Sequence, residues 1–159
     1  GAATIGPQAA SDMGVARAVS IREVCEASPD RGVDLLSVVQ GCLSESDMEV
    51  VSHAVAALDS LCRGDVLDVD FYAVWRMVSR KKLTPQAMEH PGVLAKVMGL
   101  LANGAEGAEE QLDGARDAVK SLWANRLNSA PSVREAALTS LGKFKSEVLE
   151  ASLPEEELT

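Results

Sequence analysis

Two histidines, three cysteines and a few clustered carboxylates are the side chains of this 159-residue chain that could do chemistry. His53 could act as a general base or a metal ligand, because a neutral imidazole offers one nitrogen lone pair near pH 7. It sits three residues after Val50 on an otherwise apolar helical face, and no H-E-x-x-H surrounds it. A partly buried histidine satisfied by its neighbours is therefore expected. His90 precedes Pro91 in a turn and is expected in solvent. Cys25, Cys42 and Cys62 contain no C-x-x-C pair, and an odd count argues against a disulfide framework. Buried free thiols in a reducing compartment are the expectation.

The acidic run Asp65-Val66-Leu67-Asp68-Val69-Asp70 invites a calcium reading. A calcium loop of the EF-hand kind needs D-x-[DN]-x-[DN]-G and a later glutamate, and this stretch has neither the spacing nor the glycine. Capping of the next helix by Asp68 or Asp70 is the better account. Arg80-Lys81-Lys82 could hold a phosphate or address the chain, but a cationic helix C-terminus is the simpler use. Glu109-Glu110 and Glu155-Glu156 are adjacent acids on exposed stretches and imply no pocket. No P-loop, G-x-S-x-G or G-x-G-x-x-G occurs. The chain is accordingly expected to carry no catalytic, metal or cofactor site and not to be an enzyme.

The elements that position these residues read as helices. Hydrophobic content is 47% with only 3% aromatic, and the pool is Leu, Val and Ala, which disfavours a β-rich fold. Val133, Ala136, Ala137, Ser140, Leu141 and Phe144 fall on one face of a helix behind Pro131. The same face recurs from Val93, behind Pro91, with Val97, Leu100 and Leu101. It recurs again from Val50, with His53, Ala54, Ala57, Leu58 and Leu61. Periods near forty residues belong to stacked helix pairs that each bury little alone. The fold class is therefore all-α, an α-solenoid of antiparallel helix pairs of the HEAT or armadillo kind with about seven helices. They are expected near 11–27, 32–43, 47–62, 69–80, 91–102, 109–126 and 131–145, with 146–152 extending the last. Ser11 or Asp12 is read as the first cap, and Phe71, Val74, Trp75 and Val78 as core.

By domain, residues 1–10 read as a disordered or tag remnant, 11–152 as the helical-repeat segment, and 153–159 as an acidic tail or the start of a further repeat. The chain is expected to be part of a longer one. Asn103-Gly104-Ala105-Glu106-Gly107 reads as an exposed, protease-sensitive loop. The formal net charge of −9 disfavours direct binding to a phosphate backbone. No run approaches the roughly 18–20 apolar residues of a membrane span. No secretory signal pattern is present, and the expected location is cytoplasmic.

Several segments resemble the focadhesin family. Ala16-Arg17-Ala18-Val19-Ser20-Ile21-Arg22-Glu23-Val24-Cys25 is similar to an A-K-A-A-S-I-R-D-I-C type segment there. Ala57 through Asp68 is similar to a G-L-x-x-L-C-x-A-E-V-V-D segment. The Trp75-x-x-Val78-x-x-Lys81-x-Leu83 run and Val133-Arg134-Glu135-Ala136-Ala137-Leu138 extend the likeness over roughly residues 14–150. The resemblance implies a piece of a very large cytoplasmic protein of HEAT-like repeats, acting as a scaffold at focal adhesions or with the cytosolic machinery that feeds mRNA to the exosome. It implies protein partners and no catalytic residues.

In such solenoids the second helix of each pair lines the concave side. The positions opposite the buried faces are then Glu49, Ser52, Ala56 and Asp59; Gly92, Ala95, Gly99 and Ala102; and Ser132, Glu135, Thr139 and Lys143. Ala95, Gly99, Ala102, Ser52, Ala56, Glu135 and Thr139 are the candidate partner-binding residues. The middle row is small and uncharged. It either admits a partner helix or peptide, or is small because a helix of its own repeat crosses there. The apolar end helices, residues 11–27 and 131–152, are expected to permit weak self-association. An RNA-binding or transport-receptor solenoid, or an enzyme domain with an unrecognised site, are the alternatives to a protein-interaction scaffold.

Overall fold

A computed structural model describes residues 6–64, 66, 69–78, 83–108 and 110–153, and every regular element among them is helical. Helix α1 (Pro7–Ala27) begins ahead of the expected start at Ser11. Neither Ser11 nor Asp12 caps it; the N-cap is Gly6, and proline at the first helical position tolerates the missing N–H. Ser11 instead donates its hydroxyl to Asp47 Oδ2 at 2.7 Å.

The expected helix at 32–43 is three pieces. Pro29 opens the short α2 (Pro29–Gly32), a 3-10 turn covers Val33–Leu35, and α3 (Leu36–Cys42) follows. Val39 and Leu43 are buried, while Leu35 and Leu36 are only half-buried.

Helix α4 (Met48–Arg63) falls within one residue of the expected 47–62 at each end, because both of its ends are set locally. Asp47 accepts a hydrogen bond from the Glu49 N–H at 3.0 Å, and Arg63 lies in the last turn before Gly64. Asp70 accepts from the Ala73 N–H at 2.8 Å and so caps α5 (Phe71–Val78). Phe71, Val74 and Val78 are buried, and Trp75 packs half-buried against the same core. Asp68, the other candidate cap, lies outside the described residues, as do Arg80-Lys81-Lys82.

Thr84-Pro85, expected only as a turn, starts the short helix α6 (Pro85–Glu89), with the Thr84 hydroxyl accepting from the Ala87 N–H at 3.1 Å. Helix α7 (Pro91–Leu101) is capped by His90, whose Nδ1 accepts from the Val93 N–H at 3.2 Å. Helices α8 (Leu112–Asn125), α9 (Pro131–Leu141) and α10 (Ser146–Ser152) complete the described chain. Helix α9 stops at Leu141, short of the expected 145, and α10 is a separate helix. The Lys143 and Phe144 N–H groups bond back to the Ser140 and Leu141 carbonyls at 3.1 Å each, a tightened turn that ends α9 and tucks Phe144 into the core.

Helix α1 lies along α4, α4 against α7, and α7 against α9, forming a row. Helix α3 packs on α4, α5 touches α4 and α8, and α8 packs on α7, α9 and α10. The core lies between these sets, around Leu58, Leu61, Met98, Leu100, Leu101 and Leu122, all fully buried. Each such side chain contributes about 1.5–3 kcal/mol by leaving water.

Two neighbouring flanks of α4 and of α7 are buried, and one flank of α9. Val50, Ala54, Ala57 and Leu61 form one flank of α4. It faces the preceding helix, since a Cβ built on Gly14 of α1 sits 3.9 Å from Val50 Cγ2. Val51, Val55 and Leu58 form the second flank. Val93, Val97 and Leu100 with Leu94, Met98 and Leu101 repeat the arrangement in α7. In α9, Val133, Ala137 and Ser140 are buried, and Ser140 Oγ donates to the Met98 carbonyl of α7 at 2.8 Å.

The stretch 103–107, expected as an exposed loop, is packed at its start. Ala102–Ala105 is a 3-10 turn. Gly104 is buried, and a Cβ there would lie 2.7 Å from the Phe71 ring. Asn103 Nδ2 donates to Asp59 Oδ1 at 2.6 Å and to the Leu100 carbonyl at 2.8 Å. Only Glu106 and Gly107 are exposed, and Gly107 adopts a left-handed φ of 67° that suits glycine.

Candidate functional site

Ten of the twelve proposed contact positions lie on the row helices α4, α7 and α9; Ala102 opens the 3-10 turn after α7, and Lys143 lies in the turn after α9. None of the twelve is buried: Ser52, Ala56, Asp59, Ala95, Gly99 and Ala102 are half-exposed, and Glu49, Gly92, Ser132, Glu135, Thr139 and Lys143 are fully exposed. The buried flanks account for this placement, because on a 3.6-residue helix they leave a single outward arc. Gly99 sits in the middle of α7, and a Cβ built on it meets nothing within 4 Å. Its small size is therefore not demanded by a crossing helix. The methyl group of Ala95 touches the edge of the core while the residue stays partly open. At Gly92 an added Cβ would meet the His90 imidazole at 3.1 Å, which narrows the N-terminal end of the strip.

Charge gathers at the margins of this arc. Asp59 is held by Asn103 Nδ2 and by Arg63 Nε, the latter at 3.2 Å, so it is a tethered carboxylate. On the other margin His53 Nδ1 lies 3.2 Å from an Arg22 guanidinium nitrogen, and Arg22 is in turn paired with Glu26 at 2.6 Å. Burial, and then the positive charges of Arg22 and Lys96, hold the imidazole below its usual value, while Glu49 and Glu26 act weakly the other way. His53 is thus a partly buried, partnered side chain of the kind expected. The shared register of α4 and α7 brings Lys96 into its field, a neighbour that periodicity could have pointed out. Two other links were not visible in the sequence: the Asn103–Asp59 bond and the capping role of His90. The first needs a partner 44 residues away in the chain, chosen by tertiary packing; the second is a local bond, to an N–H three residues on, made by a residue type seldom read as a cap.

The cysteines do not converge. Cys25 is buried, and Cys42 and Cys62 are half-buried free thiols. Desolvation raises all three, and Cys62, also facing Asp59, Asp70 and Glu106, is pushed up to about 12. A thiol so held is a poor nucleophile at neutral pH. Among the described residues no group of three or more His, Cys, Asp or Glu is placed to hold a metal. No helix among them is long and apolar enough to cross a membrane.

The geometry defines a class first: an all-helical chain with a row of helices whose outward arc is small and uncharged in its middle row, at Gly92, Ala95 and Gly99. Comparison with known proteins supplies the rest. The family model described as Focadhesin/RST1, DUF3730 matches residues 4–141, and the chain belongs to that family. Focadhesin of Danio rerio is 27% identical over 135 residues, covering 82% of this chain and 7% of the relative. The chain thus spans a small part of the length of that relative. No solved structure matches it.

Proposed function

We propose that the chain is a non-catalytic protein-interaction segment, an α-solenoid of antiparallel helix pairs of the HEAT or armadillo kind. In this reading α4, α7 and α9 are the second helices of successive pairs, and their outward arc docks a peptide or helix of a partner protein. The observation that carries it is the open space over Gly99 at the centre of the strip. Ala95 and Ala102 flank that space without charge, so a partner backbone can come close. Asp59 on one side, and Glu49 with Lys96 on the His53 side, give the margins mixed sign, which suits a polar rim and offers little to a phosphate chain. With a net charge of −9, nucleic acid is not proposed as a direct ligand.

The setting that goes with this reading is cytoplasmic. The name of the relative suggests focal adhesions, and the cytosolic mRNA-decay machinery is the second setting to be searched. The test is comparative affinity capture by the wild-type chain and by Ala95→Arg, from cytosol enriched in each setting. A partner held by the wild type and lost from an equally folded Ala95→Arg supports the strip. A partner captured equally by both removes it.

A further inference from the structure

Helix α1 is 21 residues long, yet Ala18, Ile21 and Cys25 are the apolar side chains it buries in the core. Two side-chain bonds add to them. Ser11 donates to Asp47 near one end of α1, and Arg22 donates to His53 near the other. The second bond sets the state of the ring. A guanidinium has donors only, so the Nδ1 atom 3.2 Å away must be an unprotonated acceptor. Four charged groups face this imidazole: Arg22 and Glu26 from α1, Lys96 from α7, and Glu49 from α4 itself. Of the other helices on α4, α3 carries no charged residue, α2 meets it at Leu61, toward its far end, and Arg76 of α5 lies over the Tyr72 ring. Two positive and two negative charges thus balance around a neutral ring. A proton on Nδ1 breaks that balance and faces the Arg22 guanidinium directly. Glu26 is already taken by Arg22 at 2.6 Å, which leaves Glu49, four residues earlier on the same helix, to receive the charged ring.

We propose that His53 is a proton-driven switch between two partners. Neutral, it accepts from Arg22 and ties α1 to α4; protonated, it turns to Glu49 on its own helix, and α1 loosens. Burial and the charges of Arg22 and Lys96 hold the folded ring below its ordinary value of 6.5. The tie is therefore complete above about 6.5 and is lost as pH falls through the lower folded value. The Ser11–Asp47 bond outlasts it, because the Asp47 carboxyl is held below 3.8. The contact of α4 with α7 does not use the ring, so α7 stays in place while α1 moves. The inference does not rest on the docking strip.

Two measurements on the 159-residue chain test it. Proton NMR reads the ring itself, with the His53 signal assigned by its loss in His53→Asn. The expected result is a His53 value below 6.5 that rises in Arg22→Met and falls in Glu49→Gln. A value that ignores both changes overturns the switch. Amide hydrogen exchange, corrected for the intrinsic effect of pH and compared at about pH 7 and about pH 5, reads the helices. Protection of α1 relative to α7 should fall in the wild type, by about tenfold for each unit by which the folded ring lies below its unfolded value. It should hold in His53→Asn, whose amide oxygen accepts from Arg22 at either pH. Wild-type α1 protection that does not change, or that falls equally in His53→Asn, overturns the proposal.

Discussion

Gly99 and Gly104 lie five residues apart in the chain, yet one faces open space and the other is pressed against an aromatic ring. Nothing lies within 4 Å of a Cβ built on Gly99, whereas the Phe71 ring lies 2.7 Å from one built on Gly104. The same contrast runs through the regions around them. The middle of the strip, on α7, has small residues on a face that is open at Gly99 and half-exposed at Ala95. In the turn that follows, Gly104 is small because the Phe71 ring fills the space a side chain would need, and Asn103 ties the turn to Asp59. Residue size alone does not distinguish a docking surface from a tight joint; what a larger side chain would touch does.

Changes behind the strip should be the most damaging. Leu58 is fully buried, so Leu58→Asp buries a charge without a partner and should cost several kcal/mol. Loss of the helical circular dichroism signal at room temperature is the expected result. The glycine pair sharpens the contrast next. Gly104→Ala should lower stability by about 1–3 kcal/mol through overpacking against Phe71. Gly99→Ala should raise it by about 0.5–1 kcal/mol, since it removes backbone entropy without a clash. Urea midpoints of the two variants should therefore move in opposite directions.

Much of the fold was legible where its causes are local. Asp47, Arg63 and Gly64 delimit α4 through bonds and dipoles within a few residues, and Pro91 and Pro131 mark the starts of α7 and α9 in the same way. The errors arose where distant groups decide. Ser11 looked like a cap, but its hydroxyl is taken by Asp47, and α1 runs back to Pro7. The 103–107 stretch looked loose because Asn and Gly favour turns, but Asp59 and Phe71 fix its beginning. Phe144 continues the apolar spacing of α9, and the turn after Leu141 keeps it in the core although the helix has ended. The positions of the strip follow from periodicity, whereas the open space over Gly99 depends on where other helices lie.

Smaller effects mark the rim of the packed region. The Ser11 hydroxyl bond, outweighing partial burial, and the N–H groups of Glu49 and Val50 hold the Asp47 carboxyl below its ordinary value of 3.8. A carboxyl held low stabilises the fold fully above its unfolded value, and that contribution is lost as pH falls through the lower folded value. Asp47→Ala should cost about 1 kcal/mol at neutral pH. The gap between variant and wild type should close on acidification through that window, as followed by thermal melts at a series of pH values. A gap that does not change with pH would contradict the assigned bonds.

The smallest expected change tests the central claim most directly, because it separates an open strip from internal packing. It is the melting temperature of Ala95→Arg. If the strip is an outward surface, the arginine stem lies along α7 with its guanidinium in water, and the melting temperature stays within about 2 °C of the wild type. If it falls as far as that of Gly104→Ala, the strip is part of the packing and does not dock a partner.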